Sequence, residues 1–306
     1  MFVLSENDTS VLEMPKCIYL NFQCINKILS IAENREKDKS NIAFDFSNTI
    51  WIDAEATPFL GVLVQNFQDQ NLNIYAKLPE NQNVVKILEK NGFLFTYGLS
   101  KKRLADVYGT TIPYSVLNSR NDDEIDEFLE NRVFKLIHQH IKKDEIEIIR
   151  DAVNEISHNV KDHSTQSLLY FCGQFYPSKK HIALTLTDNG ITIPKKIKHK
   201  FTSKLAKSDF DLIEWATGHG NSTKNVASSG LGLFDIKSNI EGIGELTILS
   251  NYGYWEQKSD GTKNHHTLSS PYPGTLICLK FLTYDHENRI HSPENDIMNT
   301  TENLLF

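Results

Sequence analysis

Over residues 16–100 the hydrophobic period switches repeatedly between two and about 3.6 residues, and few architectures accommodate such a pattern. IYLNF is followed by INKILSIAENREKD, NIAFDFS by FLGVLVQNFQDQ, and NIYAKL by NVVKILEKNGF. Short strand-like runs alternating with longer helical ones predict a βαβαβα order and a small α/β domain. Ile42, Phe44 and Phe46 alternate in the central strand. Val84, Val85, Ile87 and Leu88 give the last helix an apolar face that stops at Asn91-Gly92.

The stretch SKKRLADVYGTTIPYSVLNSRND (100–122) mixes Gly, Pro, Ser and charge without a period, as a domain-joining segment does. Two helical patterns follow, one on Ile125, Phe128, Leu129, Val133, Phe134 and Ile137, the other on Ile146, Ile149, Val153, Ile156 and Val160. Then come a strand pair (SLLYFCGQFY, HIALTLTD), a lysine-rich loop, a glycine-marked helix start (SSGLGLFDIKSNIEG) and a final hairpin (ELTILSNYG, GTLICLKFLT). The expected organisation is a first domain over 1–110, a linker over 111–122, a second domain over 123–284 and a polar tail over 285–306. A length of 306 residues suits two domains.

Hydrophobic residues at 40% and charged ones at 23% exclude globally disordered and fibrous classes. With 32 Lys+Arg against 39 Asp+Glu, a net charge of −7 gives no basic footprint, and no nucleic-acid partner is expected. No run approaches the roughly 20 apolar residues of a membrane span, and MFVLSENDTSVLEMP lacks the order of a signal peptide. The expectation is a cytoplasmic protein without a membrane partner. Cys17, Cys24, Cys172 and Cys278 form no C-x-x-C pair, so they are expected to be buried, inert thiols.

In NEISHNVKDHS, Glu155, Asn159 and His163 follow at i, i+4 steps. Four residues turn a helix by about 400°, so these side chains stack along one stripe while the apolar positions face elsewhere. Asn ligates a hard cation through oxygen and Glu orients or deprotonates a nucleophile, which suits a magnesium-phosphate site; a solvated helix face is the plain alternative. In TLTDNGITIP, Asp188 ends an alternating strand and Asn189-Gly190 turns the chain. A strand-end carboxylate accepts from an exocyclic amine, and Gly190 lets a flat base approach; alone, Asp-Asn-Gly is a turn. Gly230 and Gly232 open a helix, where backbone N–H groups converge on phosphate oxygens, although no Walker A pattern occurs. Gly274-Thr275 begins a strand with a hydroxyl placed to support Asp188 or a bound base.

In this order, the four motifs resemble the GHKL superfamily of ATP-binding domains over residues 122–284: Glu155 and Asn159 in the N-box, then Asp188 with Gly190, Gly230 with Gly232, and Gly274-Thr275 in the glycine boxes. The resemblance implies a two-layer α/β sandwich, adenine held at Asp188, Mg2+ at Asn159, and ATP phosphates at Gly230, Leu231 and Gly232, with Thr275 and Gly190 completing the pocket. It also implies a lid over residues 197–229, from which Lys224 reaches a phosphate, an exposed lysine being the other reading. The E-x-x-x-N-x-x-x-H run closed by His-Ser is similar to the anti-sigma-factor serine kinases. His138 and His140 lack a phosphoacceptor motif and are read as surface or interface residues.

The segment from NIAFDFS to EKNGF is similar to STAS domains, the fold of the partners of those kinases. Here Asp53 is followed by Ala54 and Glu55, and the nearest hydroxyl is Thr57. Glu55 is read either as a fixed negative charge or as a helix start. The whole is expected to be an N-terminal STAS-like α/β domain, for partner-protein recognition, plus a C-terminal GHKL α/β sandwich. The implied activity is transfer of phosphate from ATP to Ser or Thr of a partner, with Glu155 as base. An ATP-hydrolysing switch of the gyrase or chaperone type, with a homodimer, and a non-consuming ATP sensor in a stress or defence complex stay open beside it.

Overall fold

The computed structural model describes residues 6–163, 168–221 and 232–283, the side chains of 6 and 158–163 excepted. Strands β1 (Thr9–Glu13) and β2 (Cys17–Ile18) lead into helix α1 (Phe22–Glu33). After β3 (Asn41–Asp45) and β4 (Trp51–Ile52) come α2 (Thr57–Gln68), β5 (Asn73–Lys77), α3 (Gln82–Lys90) and the short α4 (Phe93–Thr96). β1, β3 and β5 form a parallel sheet with β3 central, and β2 pairs β4 in parallel. The βα alternation is therefore present, but its first strand is displaced from the expected IYLNF. Asn21 ends that run: its side chain accepts from the Cys24 N–H, capping α1 and satisfying a donor the helix leaves open. The outer strand is instead TSVLE, with Leu12 buried and Val11 exposed.

In the second half, β6 (Thr111–Asn118) precedes α5 (Asp122–Phe128), which continues through a π-helical turn at Leu129–Phe134 into α6 (Lys135–His140). Then follow α7 (Lys143–His163), β7 (Leu168–Tyr176), β8 (His181–Asp188), α8 (Ile193–Lys200), α9 (Asp209–Ala216), α10 (Leu233–Ile240), β9 (Gly244–Gln257) and β10 (Lys263–Leu282). One five-stranded sheet has the order β6-β7-β8-β10-β9, every neighbour antiparallel.

Two expectations are corrected here. Residues 111–118, assigned to a linker, are an edge strand of this sheet, with Ile112 and Tyr114 fully buried and the Tyr114 N–H donating to the Asn91 carbonyl at 2.7 Å. Pro113 hid it: proline is tolerated on an edge strand, and the pairing with β7 shifts register between Ile112 and Ser115. The lysine-rich stretch beyond Gly190 is not a loop throughout, because Thr192 and Ser208 cap α8 and α9 through their side chains. Much of the expected lid is thus helical up to Ala216. Residues 222–231 and the tail from 284 lie outside the described residues.

The five-stranded sheet is buried on both faces. Leu169, Phe171, Ile182, Leu184, Leu186, Leu246, Ile248, Ile277 and Leu279 share a core with Ile149, Val153 and Ile156 of α7 and Ile236 of α10. On the other face, Tyr170, Cys172, Tyr272, Leu276 and Cys278 join a core that also holds α1 and α2. α2 is buried nearly all round (Phe59, Leu60, Val62, Leu63, Val64, Phe67), as a helix between two sheets must be. It packs on β5 on one side and on β7, β8 and β10 on the other. At about 1.5–3 kcal/mol per buried side chain of this size, α2 joins the two halves strongly. Gly61 permits the close approach, because a Cβ there would lie 2.1 Å from the Tyr114 hydroxyl. Among the described residues, no helix is long and apolar enough to cross a membrane.

Candidate functional site

β8 ends at Asp188, which β10 meets in register at Thr275. Asp188 is buried, and among the described residues its carboxyl accepts one hydrogen bond, from the Gly190 N–H at 2.6 Å. Burial pushes the carboxyl up to about 7, and the Gly190 N–H opposes the shift. The backbone of β10 comes so near that a Cβ on Gly274 would lie 1.8 Å from the Asp188 carbonyl oxygen, so only glycine fits there. On one side, Thr187 Oγ1 donates to the Thr275 carbonyl at 2.9 Å and lies 2.7 Å from the Tyr272 hydroxyl. On the other, the Asn189 amide donates to Asp69, the C-cap residue of α2, at 3.2 Å.

The Thr275 hydroxyl, expected to support Asp188 or a base, is engaged elsewhere: it lies 2.9 Å from Ser250 Oγ. Ser250 is buried on β9, accepts from the Ile193 N–H at 2.9 Å and donates to the Gly274 carbonyl at 3.2 Å. One serine thereby fixes the start of α8 against two strands. The next residue, Asn251, has φ +54°, in the left-handed region that Asn tolerates better than most side chains. Buried Asp209 holds it by accepting from the Asn251 amide and the Tyr252 N–H, and pairs with Lys198 at 2.7 Å, tying α8 and α9 to β9.

Topology brings the other expected residues toward this end of the sheet. α7 is separated from β7 by four residues, and Tyr170 of β7 pairs with Thr187, so the C-terminal half of α7 returns at the Asp188 end. That half carries Glu155, half-buried, and Asn159, whose side chain lies outside the described residues. Ile149, Val153 and Ile156 face the sheet, so the two-faced reading of α7 holds for these positions. α10 packs on α7 and leads after three residues into β9 at Gly244, which pairs with Phe281 near the far end of β8. Its start at Gly232 thus points back toward Asp188. The Gly232 N–H donates to Asp235 at 3.3 Å, so its donor is turned to its own helix, and a Cβ there would meet nothing among the described residues. Lys224, Gly230 and Leu231 lie outside the described residues.

A second cluster of ionisable groups lies at the opposite end of α2. The turn Ala54–Ala56 rests on β7 and β8, and buried Glu55 accepts a hydrogen bond from the Tyr176 hydroxyl. Burial and the nearby Asp53 charge push Glu55 up to about 7. Glu55 is therefore an interface residue and not an exposed fixed charge. Thr57 is also fully buried, its hydroxyl donating to the Ala54 carbonyl at 2.7 Å, so the nearest hydroxyl to Asp53 is closed to modification. All four cysteines are free, and burial pushes the Cys172 and Cys278 thiols up to about 12. His138 is exposed, and His140 stacks on Phe175 at 3.8 Å.

Sequence reading missed Ser250, Tyr272, Asp209 and Asp69. Asp69 lies 120 residues from Asn189, and no spacing rule links them. The positive φ at Asn251 had one trace, the Asn-Tyr-Gly run inside β9, where the pairing with β10 shifts register. The chain matches no family model and no curated protein.

Proposed function

We propose that the chain binds Mg·ATP and transfers its γ-phosphoryl group to a Ser or Thr hydroxyl of a partner protein, its second half being a GHKL-type domain and its first a STAS-like unit. The observation that carries this reading is Asp188, a buried carboxyl at a strand end with one backbone donor among the described residues. An exocyclic amine is a suitable second donor for such a group. The donor set fits the nucleotide: Asp188 for adenine, Asn159 as an oxygen ligand for Mg2+, and Glu155 one turn before it as the base that takes the proton of the attacking hydroxyl. Mg2+ neutralises charge on the β- and γ-phosphates when bound. Gly230, Leu231 and Lys224 complete the reading on the phosphate side, and Thr275, whose hydroxyl is held by Ser250, on the base side only through its place in register with Asp188.

A second reading, in which the site hydrolyses ATP to drive a conformational switch, is favoured by the burial of α2 between the two sheets, which leaves the first half less surface for a partner. Incubation with γ-labelled ATP and magnesium separates the two. Label on a partner protein supports the kinase, and free phosphate that disappears in Glu155→Ala supports the switch. Asp188→Asn is expected to weaken ATP binding at least a hundredfold by calorimetry with the fold intact, and retained affinity overturns the assigned pocket.

A further inference from the structure

Both chain neighbours of Asp188 are gripped by the same helix of the first half. Asn189 donates directly to Asp69. Asp69 is itself oriented by the Gln65 amide at 2.8 Å, and Gln65 also accepts from the Tyr170 hydroxyl of β7 at 3.5 Å. On the other flank, Thr187 is bonded to the Tyr272 hydroxyl, and the Tyr272 ring stacks on Phe59 of α2 with centroids 5.5 Å apart and planes 16° apart. The backbone on either side of the carboxyl is thus fixed from outside its own half of the chain. A ring stack and a hydrogen-bond chain have defined geometries, unlike general apolar contact, so they transmit position and not merely burial.

We propose that Asp69 and Phe59 of α2 are positioning residues for Asp188, so that the first half of the chain sets how strongly the second half discriminates the base of a bound nucleotide. This rests on the reading of Asp188 as the adenine-binding group. A substrate class follows: the ligand whose binding depends on α2 is a purine nucleotide carrying an exocyclic amine at the position of adenine N6. The triphosphate contacts, made elsewhere, do not depend on α2. Asp69 touches no ligand. It keeps Asn189, and with it the turn that supplies the Gly190 N–H, in the register that leaves the second carboxyl oxygen facing the base.

The test compares ATP with inosine triphosphate, which lacks the amine, by calorimetry on the full chain in magnesium. Wild type is expected to prefer ATP, and Asp188→Asn to lose the preference. Asp69→Ala is expected to lower the ATP-to-ITP ratio about tenfold while ITP affinity stays unchanged, the scale of one charged hydrogen bond. Asp69→Asn, which keeps an oxygen acceptor for the Asn189 amide, is expected to restore the ratio, and Phe59→Leu to lower it independently. A fold-level role for Asp69 would weaken both nucleotides alike, and that outcome overturns the proposal. If wild type discriminates, Asp188→Asn does not, and both α2 variants behave as wild type, positioning by α2 is wrong and the nucleotide reading stands. If wild type shows no preference between ATP and ITP, the adenine assignment of Asp188 falls and the proposal with it.

Discussion

On one face of the five-stranded sheet, Leu169, Phe171, Leu184 and Ile277 meet α7, whereas on the other Ala183, Thr185, Thr187, Cys172 and Cys278 lie toward the first half of the chain. The first set is bulky and holds a helix at ordinary distance. The second set is small or hydroxylated and lies among the bulkier Tyr170, Tyr272 and Leu276, which suits the close approach of α2, whose own Gly61 leaves no room for a methyl group before Tyr114. The contrast teaches that burial of a face is not announced by hydrophobicity alone. A strand alternating Ile, Leu and Leu with Ala and Thr reads as half wet, yet all of β8 beyond His181 is buried.

The comparison breaks first at Phe171. Phe171→Ala on the α7 face is expected to cost about 3–5 kcal/mol in urea unfolding, and a loss below 1 kcal/mol would mean that this face is not the principal core. Glu55→Gln probes the other face through pH. The folded carboxyl titrates at about 7 and the free one at 4.5, so the folded state holds its proton longer. Stability from this group is complete below pH 4.5 and is lost as pH rises through 7, by roughly 3 kcal/mol. Gln keeps an acceptor for Tyr176 and cannot ionise. The variant is therefore expected to exceed wild type in stability above pH 7 and to show a flatter profile between pH 4.5 and 7. Asp188, shifted in the same direction, leaves some slope in the variant. Gly61→Ala is expected to cost about 1–3 kcal/mol by overpacking, and to shift one common unfolding transition for both halves. Two separate transitions, with only the first displaced, would show that α2 does not couple them.

The elements most legible in the sequence were those with one clear period. The α7 face, the β7–β8 pair and α3 with its stop at Asn91 were read from side-chain spacing, because a long amphipathic helix or an alternating strand leaves a strong imprint. Illegible were features whose cause is remote in the chain. Residues 111–118 look like a linker until Asn91 and β7 supply their partners, and Asp69 acquires a role only when α2 crosses the sheet to Asn189. Of the candidate site, Asp188 and Gly190 were readable from a strand followed by a turn. Ser250, which takes the hydroxyl of Thr275, was not, because its partners come from two segments remote from it in the chain, the start of α8 and the middle of β10.

The burial of α2 on nearly all sides also sets a problem of timing. Its last residue is Gln68, and β10, part of the sheet that covers its second side, begins at Lys263, almost 200 residues later. At about 5–20 residues per second, a ribosome needs roughly 10–40 s to supply that cover. For that interval the nascent chain carries an apolar helix with one side uncovered, which is buried only once the final hairpin closes over it.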